Sequence, residues 1–356
     1  MIELGHRERF LRSVRGEDLD RVPVFFRAEE VIRRKIREVH GLNDDSDMIK
    51  MYGADAIQCP LPIDRTYIKE STEENHFFDI YGNELRSVQY GEVWSNTVVK
   101  PLLGDAKSVA DVDNAEFTDP GVVDIKECEK HAVQAYESGL AIYGGMWASL
   151  FTASRSIVGE ENFLISLYEN PEMIKRVIER LADFFIACNE IYFSKCAKYL
   201  DVFYFGSDFG TQASMFISKD MFAEFFKPAM KRIVEHAKGF ELLAMYHTCG
   251  AVEPIIEDLV DCGIDILDPV QVSAEGMAPD SLAAKYKGKI CFHGGISTQT
   301  TLPFGTAEQV KEEVLHAIDA FGPKGYIMAP DQDMIGDIPI ENIDAMFRTA
   351  SEYKLC

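Results

Sequence analysis

Eight short apolar runs recur along the chain, separated by stretches of helical periodicity, and this alternation constrains the fold more than any single motif. The runs are VPVFF (22–26), DAIQC (55–59), LAIYGG (140–145), DVFYFGS (201–207), ELLAMYH (241–247), IDILDP (264–269), KICFHGG (289–295) and GYIMAP (325–330). Between them lie amphipathic segments such as 172–195, 219–238, 254–262 and 307–321, in which apolar residues return at helical spacing. Near the N-terminus, helices are expected from Arg7 to Val14 and again up to Gly41, each ended by a glycine. Strands alternating with helices at this spacing predict a parallel sheet, and eight such units match a closed α/β barrel of the (β/α)8 TIM type. An open doubly wound sheet is the rival, but no GxGxxG follows the first run, so its dinucleotide-binding version lacks its main sign.

One stretch departs from the rhythm. From His76 to Val99 the chain alternates apolar and polar residues around the turn YGNE, which predicts an inserted β-hairpin. No low-complexity linker divides the chain, so residues 1–356 read as a single barrel domain.

Composition narrows the functional classes. A formal net charge of −23 disfavours nucleic-acid backbones and anionic membranes, which need clustered Lys and Arg, while leaving room for a small anion held by one or two arginines. No stretch approaches the roughly 20 apolar residues of a membrane span. The eight cysteines are scattered without a CxxC pair, which reads as reduced thiols and a cytoplasmic protein.

In a (β/α)8 barrel the active site forms at the C-terminal ends of the strands. Here those ends read CPLPID (59–64), GGMW (144–147), GSDFGTQ (206–212), YHTCG (246–250), LDPVQ (267–271), FHGGIS (292–297) and APDQD (329–333), bringing Asp, His, Cys and Gln together from several strands. His247 and Cys249, two apart at a strand end, project to one side and form half of a zinc site; the other reading is a hydrogen-bonded histidine and a buried thiol. A third ligand would come from Asp208, Cys291, His293, Asp331 or Asp333. Asp208 suits a general base, a partner for a histidine, or a cap on the next turn. The paired glycines 294 and 295 permit close backbone approach to a ligand, or a plain tight turn. Trp147, Phe151, Tyr204, Phe205, Phe209, Phe216 and Phe292 are available to line an aromatic pocket, although aromatics on strands more often belong to the core. Arg27 and Arg155 are candidates for a carboxylate.

Five stretches, RERFLRSVRGEDLDRVPVFF (7–26), SDFGTQASMFISKDMFAEFFKPAMKRIVEHAK (207–238), YHTCGAVEPIIEDLVDCGIDILDPVQ (246–271), FHGGISTQTTLPFGTAEQVKEEV (292–314) and DIPIENIDAMFRTA (337–350), resemble the uroporphyrinogen decarboxylase superfamily over nearly the whole chain. That resemblance implies a distorted (β/α)8 barrel and two possible activities. True decarboxylases bind an octa-anionic tetrapyrrole through an Arg-Gln-Ala-Gly-Arg motif after the first strand and an Asp after the second. This chain has RAEEVIRR and CPLPID there, so the motif is missing. The second activity is zinc-dependent methyl transfer with a corrinoid carried on a separate protein, and its His-x-Cys matches His247 and Cys249. Thiol-methylating members add a cysteine in Gly-Cys-Gly on the last strand, where this chain has Asp331, Gln332 and Asp333. An oxygen ligand in that place would make zinc a harder Lewis acid, matched to an ether oxygen.

The resemblance therefore implies an O-demethylase-type methyltransferase that moves methyl from a methoxylated substrate to a corrinoid partner protein; the phenylalanines and tyrosines near the strand ends make an aromatic ether one option for that substrate. The expected metal ligands are His247, Cys249 and Asp331; the expected catalytic groups are Asp208 and His293; the expected substrate contacts are Arg27, Trp147, Tyr204, Phe209, Gln212 and Gln271. A decarboxylase of a tetrapyrrole or smaller carboxylate, and a non-catalytic corrinoid- or tetrapyrrole-binding barrel, are the alternatives. A homodimer follows from the resemblance alone.

Overall fold

Ten strands build two sheets in the computed structural model, which describes residues 3–90 and 93–355. They are β1 (Ala56–Gln58), β2 (His76–Phe78), β3 (Glu84–Tyr90), β4 (Val93–Lys100), β5 (Ala141–Gly144), β6 (Val202–Gly206), β7 (Leu243–His247), β8 (Ile266–Val270), β9 (Cys291–Ile296) and β10 (Tyr326–Pro330). Seven run parallel in the order β1-β5-β6-β7-β8-β9-β10, with the helices between them as crossovers. Strands β6, β8, β9 and β10 are buried along their whole length, as expected of parallel strands covered on both faces.

The first apolar run completes the ring without forming a regular strand. Val24 bridges Met328 of β10 and Phe25 bridges Ala56 of β1, both in parallel. Phe25 N–H donates to Met328 O (2.9 Å) and Asp55 N–H to Val24 O (2.8 Å), so residues 22–26 fill the eighth stave between β10 and β1. The ladder stays discontinuous because Pro23 in its middle has no N–H to donate. The result is the expected (β/α)8 barrel.

Two cores follow from closure. One lies inside the barrel, where Phe10, Phe25, Tyr143, Tyr204, Met245 and Ile327 pack with their neighbours. The other lies between sheet and helices, where the 26-residue helix Pro171–Cys196 buries a continuous stripe from Met173 to Cys196. The N-terminal helix His6–Arg15 closes the barrel's lower end with Phe10, and stops at Gly16, whose left-handed φ of 71° suits glycine.

The excursion is larger than a hairpin. Strands β2, β3 and β4 form a three-stranded antiparallel sheet; the YGNE turn joins β2 to β3, and the connection at 91–92 lies outside the described residues. The seven described cysteines are free thiols, six of them buried, and Cys356 lies outside the described residues. Among the described residues no helix is long and apolar enough to cross a membrane.

Candidate functional site

Parallel register places the chemistry. His247 at the end of β7 pairs with Gly206 of β6 on one side and Asp268 of β8 on the other. Asp268 is fully buried and receives four donors at its two oxygens. Its Oδ1 accepts from Arg27 Nη1 (3.0 Å) and His293 Nδ1 (2.7 Å), and its Oδ2 from Tyr204 Oη (2.7 Å) and His247 Nδ1 (2.7 Å). Burial alone would raise its pKa, but Arg27 and the two histidines hold it well below the usual carboxylate range. As a carboxylate it can only accept, so both imidazoles carry their proton on Nδ1. That leaves the Nε2 lone pair of His247 free for a ligand, the arrangement that carboxylate–histidine pairs impose behind a metal.

Facing that lone pair are a thiol and a carboxylate. Cys249 Sγ lies 3.2 Å from His247 Nε2, and Asp208 Oδ1 lies 3.5 Å from it. The donor atoms of Asp208, His247 and Cys249 all fall within 4.8 Å of one another. Donor spacings of this size match the edges, roughly 3.3–3.6 Å, of a tetrahedron with ordinary zinc bond lengths. Burial, and then the Asp208 carboxylate, push the Cys249 thiol well up. A divalent cation is what would turn such a thiol into a thiolate beside a second anion. The donor set therefore fits zinc.

The loops that bring these groups together are held by glycine contacts. A Cβ at Gly206 would lie 2.2 Å from His247 O, one at Gly210 would lie 2.5 Å from Cys249 O, and one at Gly250 would lie 2.5 Å from Gly210 C. Gly250 also has a φ of +87°, which L side chains rarely adopt. The loop after β6 thus lies directly on the loop after β7, and Cys249 N–H donates to Asp208 Oδ1 (2.9 Å).

The His247 face opens on a cavity of about 520 Å³ at the C-terminal end of the barrel. Its aromatic walls are Phe25, Phe26, Tyr143, Trp147 and Tyr204, and its polar groups include Arg27, His293, Gln332 and Asp333. Trp147 stands 5.7 Å from the His247 ring and 5.1 Å from the Tyr204 ring, centre to centre. Both arginines that line the cavity are engaged. Arg27 contacts Asp268, Tyr204 (3.2 Å) and Asp333 (3.7 Å), while Arg33 donates to Ala28 O (2.8 Å) and Asp45 (2.9 Å). A larger depression of about 640 Å³, lined by Leu164, Tyr168, Met215 and Phe216, contains none of the groups around Asp268. A second possible metal group joins His76 and Glu84 of the three-stranded sheet with Glu73 just before it, and none of the three lines the cavity.

Of the residues expected from sequence, Arg27, Trp147, Tyr204, His247 and His293 line this cavity, and Cys249 and Asp208 adjoin it through His247. Four do not. Asp331 is buried behind the strand ends, its Oδ1 accepting from Thr298 N (2.8 Å) and Oγ1 (2.7 Å); Asp208 stands beside His247 and Cys249 in its place. Phe209 is wholly buried against Phe151, Phe222 and Phe226, where it anchors the Asp208 loop rather than lining this cavity. Gln271 is buried and accepts Gly250 N–H (2.7 Å), bracing the Cys249 loop. Gln212 is exposed at the rim, where Ser273 Oγ donates to it (3.4 Å). Arg155 pairs with Glu160 on the surface.

Sequence reading passed over Asp268 and Tyr143. The signal for Asp268 was an acid closing an apolar strand beside the His247 strand, but only the register shows that the two meet. Gln332, a poor ligand, donates from Nε2 to Cys249 Sγ (2.6 Å) and so stands where a further ligand from the last strand would stand.

A family model described as uroporphyrinogen decarboxylase (URO-D) matches residues 87–353. Among curated proteins, the methylcobamide:CoM methyltransferase MtaA of Methanosarcina barkeri strain Fusaro is 27% identical over 154 residues, which cover 42% of this chain and 42% of that protein. A second Methanosarcina barkeri protein of the same description is 27% identical over 141 residues, 38% of each chain. The matched region thus spans less than half the length of these relatives. Among solved structures, a methyltransferase from Methanosarcina mazei superposes with a TM-score of 0.71 at 18% identity, covering 98% of this chain and 99% of that one. A B12-independent methionine synthase from Shewanella sp. W3-18-1 gives a TM-score of 0.52 at 13% identity, covering 86% of this chain and 83% of that one. At these identities the structural matches speak for the fold.

Proposed function

Given that this chain belongs to the uroporphyrinogen decarboxylase family, we propose that it is a zinc-dependent methyltransferase of the O-demethylase type. It takes methyl from a methoxylated, aromatic substrate and passes it to a corrinoid on a partner protein. The observation that carries this reading is the donor set of His247, Cys249 and Asp208, backed by Asp268 and open to an aromatic cavity. The curated relatives' description as methylcobamide:CoM methyltransferases supports the transferred group.

Cleaving a methyl ether leaves the electron pair of the C–O bond on oxygen, so the site must stabilise an alkoxide or phenoxide. Zinc, when bound by His247, Cys249 and Asp208, supplies a Lewis acid for that oxygen. Around it each residue has a separate task. Asp268 fixes the His247 ring and keeps Nδ1 protonated, so that Nε2 always faces the ligand. Arg27 neutralises Asp268, which lets an anion remain fully buried beside an apolar pocket. Phe25, Phe26, Trp147 and Tyr204 offer ring faces and edges to a flat substrate. A polyanionic tetrapyrrole is poorly served, because the cavity's two guanidiniums already have carboxylate partners.

Metal analysis tests the proposal. Purified protein is expected to carry about one zinc per chain, lost in His247→Ala and Cys249→Ala and weakened in Asp208→Asn. Folded wild-type protein that neither retains nor takes up zinc would sink it.

A further inference from the structure

Among the described residues Cys249 is the one cysteine that is not buried. In a site that handles methyl groups such exposure is a hazard, because a thiolate is a nucleophile as well as a metal ligand. Attack of its sulphur on a methyl carbon would form S-methylcysteine, and the leaving group would depart with the electron pair of the broken bond. The negative charge of the ligand would be lost in the same step.

One side chain addresses that sulphur directly. Gln332 follows β10 and lines the cavity. Its Oε1 accepts Asp333 N–H (3.3 Å), which turns the amide so that Nε2 donates to Cys249 Sγ (2.6 Å). Strands β8 and β9 separate β10 from β7 in the sheet. Gln332 therefore reaches across the barrel mouth to the end of a strand that is not its neighbour, a contact that no strand pairing requires.

We infer that Gln332 shields the Cys249 thiolate: its amide N–H holds charge on the sulphur and so keeps the ligand from taking the methyl group that the site transfers. The inference rests on reading His247, Cys249 and Asp208 as zinc donors. Gln332 acts through Cys249 and needs no contact with the substrate. A hydrogen bond to a charged acceptor lowers the basicity of a thiolate by about ten- to a hundredfold. Nucleophilicity follows basicity at about the half power, so the bond slows S-methylation by about three- to tenfold.

Methyl iodide, given to the zinc-loaded full-length protein, tests this, with methylation at Cys249 followed by peptide mass spectrometry. Gln332→Leu keeps the bulk of the side chain and removes the donor; the position is partly exposed, so the fold does not depend on it. The variant is expected to keep its zinc and its melting temperature and to methylate Cys249 about three- to tenfold faster than wild type. Faster methylation alone also fits a more open path to the sulphur, so cobalt-substituted protein supplies a second reading. Losing the donor raises the energy of the sulphur lone pairs and moves the thiolate-to-cobalt charge-transfer band to longer wavelength, which a change of access does not do. An unchanged rate, a faster rate with an unmoved band, or zinc lost from the variant (which would make Gln332 a ligand) would overturn the inference. Zinc content of the wild type keeps the two proposals apart. With zinc bound and no effect of the substitution, the shield alone falls; wild type that binds no zinc removes both.

Discussion

Asp331 and Asp268 end neighbouring regions of the same barrel, yet burial treats them in opposite ways. Asp268 meets one guanidinium, two imidazoles and a phenol, so its charge is matched and it stays ionised. Asp331 meets only the N–H and hydroxyl of Thr298; its Oδ2 has no partner among the described residues, and Glu313 adds a like charge. Burial therefore pushes Asp331 up to about 6. The sign of its effect follows. An unfolded Asp titrates near ~3.9, so between about pH 4 and 6 the folded state binds more protons than the unfolded one, and stability falls as pH rises. A shift of this size corresponds to about 2–3 kcal/mol at most. Asp331→Asn should remove that slope. In urea unfolding from pH 4 to 6.5 the variant is expected to gain on wild type by about 2 kcal/mol, and parallel pH profiles for the two proteins would refute the assignment.

At the scale of loops and strands, glycines decide where Asp208 and Cys249 stand. Gly210 and Gly250 bring two loops into backbone contact, and in Gly250→Ala the new methyl would meet Gly210 C at 2.5 Å and Thr211 O at 2.6 Å, with neither backbone atom free to swing aside. That variant should lose about 2 kcal/mol of stability and bind zinc about tenfold more weakly or worse in chelator competition. Gly16→Ala is the control. Gly16 also has a left-handed φ, +71°, but open space around it, so only a modest loss of stability is expected and no change in zinc affinity. Unchanged zinc binding in Gly250→Ala would show that the loops do not set the site.

The glycines of β9 serve the frame itself. A Cβ at Gly294 would meet Val270 N at 3.0 Å and one at Gly295 would meet Tyr326 Oη at 3.1 Å, so close strand packing explains a pair that sequence reading left open between ligand approach and turn. The period of the apolar runs made the strands, the crossovers and the barrel legible, because burial on both faces writes itself into consecutive residues. Of the site, His247 and Cys249 were legible because a local i, i+2 spacing places both. Asp331 and Phe209 were misplaced for the converse reason: their position in a strand-end motif says nothing of which way a side chain turns, and theirs turn into the core. Asp268 needed the β7–β8 register, a relation between strands that no single stretch contains.

Considered as a whole molecule, the barrel separates its two ends. At the upper end Asp268 gathers the groups around the cavity. At the lower end Asp55, just before β1, performs a similar gathering for the frame, accepting from Arg9 (2.7 Å), Arg21 (2.8 and 2.9 Å), His6 (2.9 Å) and Val24 N (2.9 Å). These partners belong to the N-terminal helix, to the residues leading into the first stave, and to that stave itself. Asp55 therefore ties the plug to the seam where the ring closes, a seam made of isolated bridges rather than a continuous ladder. Removing its carboxylate leaves Arg9 with Asp20 as its remaining carboxylate partner, and strips Arg21 of its ion pair. Breaking a buried pair from one side costs about 3–5 kcal/mol. Asp55→Ala should accordingly unfold at markedly lower urea concentration, while the fraction that remains folded binds zinc as tightly as wild type, because no group near Asp268 depends on it directly. An unchanged unfolding midpoint would remove Asp55 as the closing tie; weakened zinc affinity in the folded fraction would show that the two ends are coupled through the staves rather than separated by them.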